Sequence, residues 1–224
     1  MEIQVPTNLN DITVEEYQKF AAINTEEADK EFLTLKTLEI FLGVSMQEAS
    51  AFPAGVAEDL ANEIAEVLNQ QQDLVDRFEL NGVKYGFIPN LEEMTLGEFI
   101  DLDEALKSTK DLHKAAAVLF RPIERERGEL YSIKPYTGSI ESQREMRKAP
   151  IGIVSAGVVF FYLLGNELSL AFQIYLGSQA KKLQTSQQKD SSLLDMVGSI
   201  QSMLLATETL PNLKRLPNLE YLQP

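Results

Sequence analysis

Phe78-Glu79-Leu80-Asn81-Gly82-Val83-Lys84-Tyr85 is where this chain stops reading as helix. Before it, apolar residues recur at helical spacing. Within it they alternate, and Asn-Gly sits at the centre. That dipeptide suits a two-residue type I′ turn, because both central positions need a positive φ. Such a turn pairs Leu80 with Val83 and Phe78 with Tyr85 on one face, and sends Glu79 and Lys84 to the other. A lone hairpin is marginal in water, so this one must pack on helices or on another strand. The expected class is therefore mainly α with a small β-hairpin or short antiparallel sheet: α+β, helix-dominated.

Working upstream, the spacing predicts helices over Val14–Ile23, Glu26–Leu42 and Val56–Arg77, with a short one after Ser45. Thr25 is the expected cap of the second and Gly43 its end. Ser45-Met46-Gln47-Glu48 reads as a capping box. Downstream, a helix is expected from Leu96 to about Leu102, then one over Lys110–Phe120 stopped by Arg121-Pro122. Leu130–Lys134 alternates and is a candidate third strand. A polar helix is expected over Ser139–Lys148. Pro150 opens an apolar helix reaching about Leu183, and Gly152, Gly157 and Gly165 count against its continuity. The chain divides into a helical domain over 1–183, with the hairpin inserted near 78–87, and a segment over 184–224. The latter holds a helix over Ser192–Thr207 and an extended tail.

One ten-residue pattern occurs twice. Asn8-Leu9-Asn10-Asp11-Ile12-Thr13-Val14-Glu15-Glu16-Tyr17 aligns with Asn90-Leu91-Glu92-Glu93-Met94-Thr95-Leu96-Gly97-Glu98-Phe99. In each, Thr is an N-cap, Glu three residues on completes the capping box, and Ile12 or Met94 can staple onto Tyr17 or Phe99. Capping accounts for Thr, Glu and the staple, but not for the preceding Asn-Leu. A duplicated docking element is the alternative reading.

Composition narrows the function. The chain has 224 residues, one histidine, no cysteine and no tryptophan. A disulfide framework, a thiolate zinc site and a cysteine nucleophile are excluded, and a triad or multi-histidine metal site has almost no raw material. Residues 1–120 carry 24 acidic side chains against 8 Lys/Arg. Such a front half repels phosphates and favours basic partners. Neither nucleic acid nor a membrane is an expected partner. Glu2 stands where a signal peptide would be basic. Ile151–Leu164 is too short to span a bilayer and reads as a buried helix.

Candidate chemistry is sparse. Asp101, Asp103 and Glu104 cluster with Glu98, but without calcium-loop spacing. No phosphate-binding glycine loop occurs. His113 reads as structural. Arg121, Arg125, Arg127, Arg144, Arg147 and Lys148 interleave with Glu124, Glu126, Glu129, Glu141 and Glu145, as in a solvated or self-pairing surface. The sequence implies no catalytic residue, no metal and no cofactor. Leu-Pro-Asn-Leu occurs at 210–213 and again at 216–219, where proline opposes helix. Leu210, Leu213, Leu216, Leu219 and Tyr221 are the candidate partner-binding residues, on a tail expected to fold back on the chain's own domain, to dock on a neighbouring copy, or to be disordered.

Val5–Phe20, the run Gly82–Asp103 and Ala116–Ile123 together resemble uncharacterised proteins of tailed bacteriophages, and these are similar to tail assembly chaperones. Those are soluble helical factors that keep tape-measure and tube proteins from premature aggregation. The likeness covers about half the chain and carries no binding residue across. It implies a non-enzymatic morphogenesis protein whose partners are other phage structural or assembly proteins, with homo-oligomerisation open. Its expected location is the host cytoplasm during assembly, or the virion. A virion connector, ring or tail subunit is the alternative, and a carboxylate enzyme or metal protein the third.

Overall fold

The computed structural model describes residues 3–25 and 28–163. The expected helix over Ser192–Thr207, the continuation of the apolar helix past 163 and the Leu-Pro-Asn-Leu tail lie outside them. The chain is a helix-dominated α+β protein, with one four-stranded antiparallel sheet among the described residues. Its elements are α1 (Val14–Ile23), α2 (Lys30–Leu42), α3 (Met46–Ser50), α4 (Ala54–Leu68), β1 (Arg77–Leu80), β2 (Val83–Phe87), α5 (Leu96–Leu106), α6 (Leu112–Leu119), β3 (Phe120–Arg127), β4 (Leu130–Ile133), α7 (Ile140–Met146) and α8, residues 151–163.

The hairpin forms in the expected register, Leu80 opposite Val83 and Phe78 opposite Tyr85. Asn81 and Gly82 have φ of 52° and 77°, as a type I′ turn requires. The sheet then goes further than the sequence reading. Phe120–Arg127, expected as the end of a helix and a basic surface run, is strand β3, and it joins the hairpin to β4. Pro122 tolerates this central position for a geometric reason. Its carbonyl accepts the Lys134 N–H at 2.9 Å, so its missing donor also faces the β4 side, where β4 has ended. The β3–β4 turn places Gly128 at φ 61°, the residue a type II′ turn needs first.

Other boundaries moved for identifiable reasons. Helix α2 starts at Lys30, not Glu26, because Asp29 rather than Thr25 caps it, accepting the Phe32 N–H at 2.9 Å. Helix α4 stops at Leu68 instead of Arg77, where Asn69 and three glutamines replace its apolar face. Helix α5 continues to Leu106, past the expected end at Leu102, since Leu102, Ala105 and Leu106 extend its buried stripe. Helix α6 begins at Leu112 behind a single 3-10 turn.

The core is organised around α8. Residues 151–159 are buried on every side, so this apolar stretch is covered by the domain itself. The inner sheet face supplies an aromatic layer: Phe120 meets Phe78 and Phe87 edge-on, with centroids 5.4 and 5.3 Å apart. Helix α8 runs unbroken through its described glycines because they are contact points. A Cβ on Gly157 would lie 2.8 Å from the Phe120 ring, and one on Gly152 would strike Leu9 at 2.8 Å. Among the described residues no helix is long and apolar enough to cross a membrane.

Candidate functional site

A groove of about 510 Å³ lies between the first turn of α5 and the sheet face turned away from α8. Its floor is set by the capping box of the second repeat. Thr95 caps α5, and Glu98 at N3 accepts the Thr95 N–H at 2.6 Å through Oε2. Its other oxygen, Oε1, lies 2.6 Å from Nη1 of Arg121. Arg121 stands on β3 opposite Gly86, on the same face as Tyr131, whose ring lies where a side chain on Gly86 would be.

This ion pair is buried, with 12 % of the Arg121 side chain and 5 % of that of Glu98 exposed. Burial pushes the Glu98 carboxyl up. The Thr95 N–H and hydroxyl, together with the Arg121 guanidinium, outweigh it and hold the group below the ordinary carboxylate value. Arg121 Nε is buried and has no hydrogen-bond partner among the described residues. Such a pair contributes little net stability, but loss of one member strands the other in a poor solvent.

The walls are apolar and polar in about equal measure: Ile88, Met94, Ile133, Pro135 and the rings of Tyr131 and Tyr136 alternate with Asn90, Glu93, Ser132 and Lys134. Tyr131 is fixed by donating to the Phe87 carbonyl at 2.8 Å. Tyr136 donates to Asp101 Oδ2 at 2.8 Å. Burial and that carboxylate drive its hydroxyl well above the usual phenol range. Glu93 stands at the rim, where its carboxylate accepts from the Asn90 side chain at 3.0 Å.

The candidate acidic cluster is pulled apart. Glu98 turns to Arg121 and Asp101 to Tyr136, while Asp103 and Glu104 both meet Lys107, at 3.4 and 2.9 Å. Among the described residues no group of three or more His, Asp or Glu is placed to hold a metal ion. His113 is buried behind α1. Its Nδ1 is 3.1 Å from Gln18 Nε2, and its Nε2 is 3.4 Å from Arg147. Burial first and Arg147 second lower its pKa. Leu210, Leu213, Leu216, Leu219 and Tyr221 lie outside the described residues.

The basic run is only partly a self-pairing surface. Glu126 pairs with Arg77 and Lys84 from the hairpin, and Lys148 with Glu145. Arg121 turns inward instead and pairs with Glu98. Sequence reasoning missed the Glu98–Arg121 pair, although a signal was present: Arg121 is flanked by Phe120 and Pro122-Ile123, whereas Arg125 sits between two glutamates and Arg127 follows one. No protein-family model, no curated protein and no solved structure matches the chain.

Proposed function

We propose that this chain acts by contacts with other proteins, as a phage morphogenesis factor of the tail assembly chaperone kind. The structural observation that carries the protein-contact part is the free face of α5. Leu96 and Ile100, four residues apart and so on one side, are 74 % and 55 % exposed on a helix that also bears Glu98, Asp101, Asp103 and Glu104. Of these carboxylates Asp101 and Glu104 are exposed, so the apolar pair suits a partner that offers chiefly an apolar stripe. The groove chemistry is consistent with contact rather than proton transfer. Glu98 is held ionised and Tyr136 held protonated, each already committed to a partner. The resemblance of Val5–Phe20, Gly82–Asp103 and Ala116–Ile123 to tailed-phage proteins supports the phage assignment.

Affinity capture from infected cells tests the proposal. Tail tube or tape-measure proteins should be retained by the wild-type chain and lost with Leu96→Asp and Ile100→Asp together. A partner set without tail proteins rejects the chaperone assignment. The alternative, a virion subunit, rests on the Leu-Pro-Asn-Leu tail. The apolar stretch 151–159 lends it no support, because the domain buries that stretch within itself. Stoichiometric presence in purified particles would favour it.

A further inference from the structure

We propose that the groove between α5 and the outer sheet face binds a small monocarboxylate with a flat apolar body, its carboxylate gripped by Arg121 and Lys134. This goes beyond the protein-contact reading and is independent of it, since Leu96 and Ile100 do not line the groove. The starting point is an unmatched donor. Glu98 meets Arg121 at Nη1, while Nε is buried with no hydrogen-bond partner among the described residues. A guanidinium grips a carboxylate with two parallel N–H donors, and Nε with Nη2 makes one such edge. A buried donor left unmatched is costly, and folded proteins match nearly all of theirs with protein, water or ligand.

Position says where the acceptor comes from. Arg121, Lys134, Pro135 and Tyr136 line the groove and also a second cavity of about 190 Å³, so they stand between the two. The Tyr136 hydroxyl is held there by one exposed bond to Asp101. In the inferred complex that ring swings aside and opens Nε to the groove. Charge sets the valence. Glu98 offsets the charge of Arg121, and exposed Lys134 adds one that no carboxylate among the described residues pairs. The site therefore balances one negative charge, whereas a dianionic phosphate would also face Glu98 and the rim carboxylate of Glu93. Shape sets the body. The rings of Tyr131 and Tyr136, with Met94 and Ile133, offer faces to a flat apolar group, and Asn90 and Ser132 suit polar substituents on it. At about 510 Å³ the groove has the usual size of a small-molecule site.

The probe is 3-phenylpropionate, with N-acetyl-phenylalanine standing for a polypeptide C-terminus, 3-phenylpropionamide as the neutral control and phenyl phosphate as the dianion. Binding to the full chain is read from the arginine Nε–H signals in nitrogen–proton NMR spectra. The Arg121 signal is the one lost in Arg121→Lys, which keeps a cation beside Glu98. At least one of the two acids should move that signal downfield, and the tighter of them names the source of the carboxylate. The amide and the phosphate should bind about ten-fold more weakly than that acid. Lys134→Glu and Ser132→Trp, both at exposed groove positions, should each weaken the acid about ten-fold. Lys148→Glu, an equal change of charge at an exposed position outside the groove, should weaken it less than about two-fold. An Arg121 signal that neither acid moves, equal binding of acid and amide, tighter binding of the phosphate, or equal losses at Lys134 and Lys148 overturns the proposal.

Discussion

The two copies of the ten-residue pattern are built alike and live differently. Both open with a one-turn 3-10 helix, Leu9–Asp11 and Leu91–Glu93, before the capped helix begins. In both, the asparagine amide binds the acidic side chain three residues on: Asn8 to Asp11 at 2.9 Å and Asn90 to Glu93 at 3.0 Å. That accounts for the asparagine of the Asn-Leu which helix capping alone leaves over. Both then close a Thr-x-x-Glu capping box. The environments diverge from there. The first copy is pinned to residues 147–151: Val14 N–H to Ala149 O at 2.9 Å, Glu15 N–H to Arg147 O at 2.9 Å, Ile151 N–H to Ile12 O at 2.8 Å. The residue after its cap, Val14, is fully buried, whereas its counterpart Leu96 is 74 % exposed. The second copy instead spends its N3 glutamate on Arg121. One local device thus serves as a core anchor in one place and as the floor of a groove in the other.

The sharpest way to break this comparison is to remove the partner that only one copy has. Arg121→Met leaves Glu98 buried and unpaired, and should cost about 3–5 kcal/mol of stability in urea unfolding. Glu16→Ala in the first copy removes a capping carboxylate at a half-exposed site and should cost only about 1 kcal/mol. Equal losses would mean that Glu98 is nothing more than a cap.

The next test reverses the order. Val14→Ala deletes fully buried methyl groups and should cost roughly 2 kcal/mol, transfer and cavity together. Leu96→Ala should stay within about 0.5 kcal/mol in the same assay, because its side chain already lies in water. A large loss at Leu96 would show that its face is covered in the isolated protein.

Thr13→Ala and Thr95→Ala sharpen the comparison from its shared side. Each removes an N-cap that accepts the N3 N–H at 3.2 Å. Each should cost about 1 kcal/mol, and the two losses should agree despite the different surroundings.

These paired outcomes mirror what could be read from the chain before its fold was known. Capping boxes, the Asn-Gly turn and the start of α1 are local, governed by residues within one turn of each other, and were legible. Strand β3 was not, because Phe120–Arg127 has no alternation to announce it, and Pro122 argues against a strand until β4 is seen to end beside it. The groove was half legible: the sequence marked Thr95 and Glu98 as a cap, but only the fold of β3 brings Arg121 beneath them. The depth of a repeated pattern in the structure is a tertiary property, set at the first copy by residues more than 130 positions away.

The smallest effect expected is also the most selective, because it should reach one copy and leave the other alone. His113 is packed against the first copy. Gln18 on α1 meets its Nδ1, and Arg147, whose carbonyl holds the Glu15 N–H, meets its Nε2. Lys114 adds positive charge from its own helix, and Asp111 opposes it only in part. The folded protein therefore keeps this ring neutral, with a pKa below the ordinary value of 6.5. A group whose folded pKa is depressed contributes its full stability above the unfolded value and loses it as pH falls toward the folded one. Between pH 7.5 and 5.5, hydrogen-exchange protection factors over residues 12–20 should fall a few-fold, while those over 94–102 hold. At the second copy Glu98 titrates below that window and Tyr136 above it. His113→Gln, which cannot be protonated, should abolish the fall in the first copy. A loss of protection in both copies alike, or one that survives His113→Gln, would place the pH-sensitive contact elsewhere in the protein.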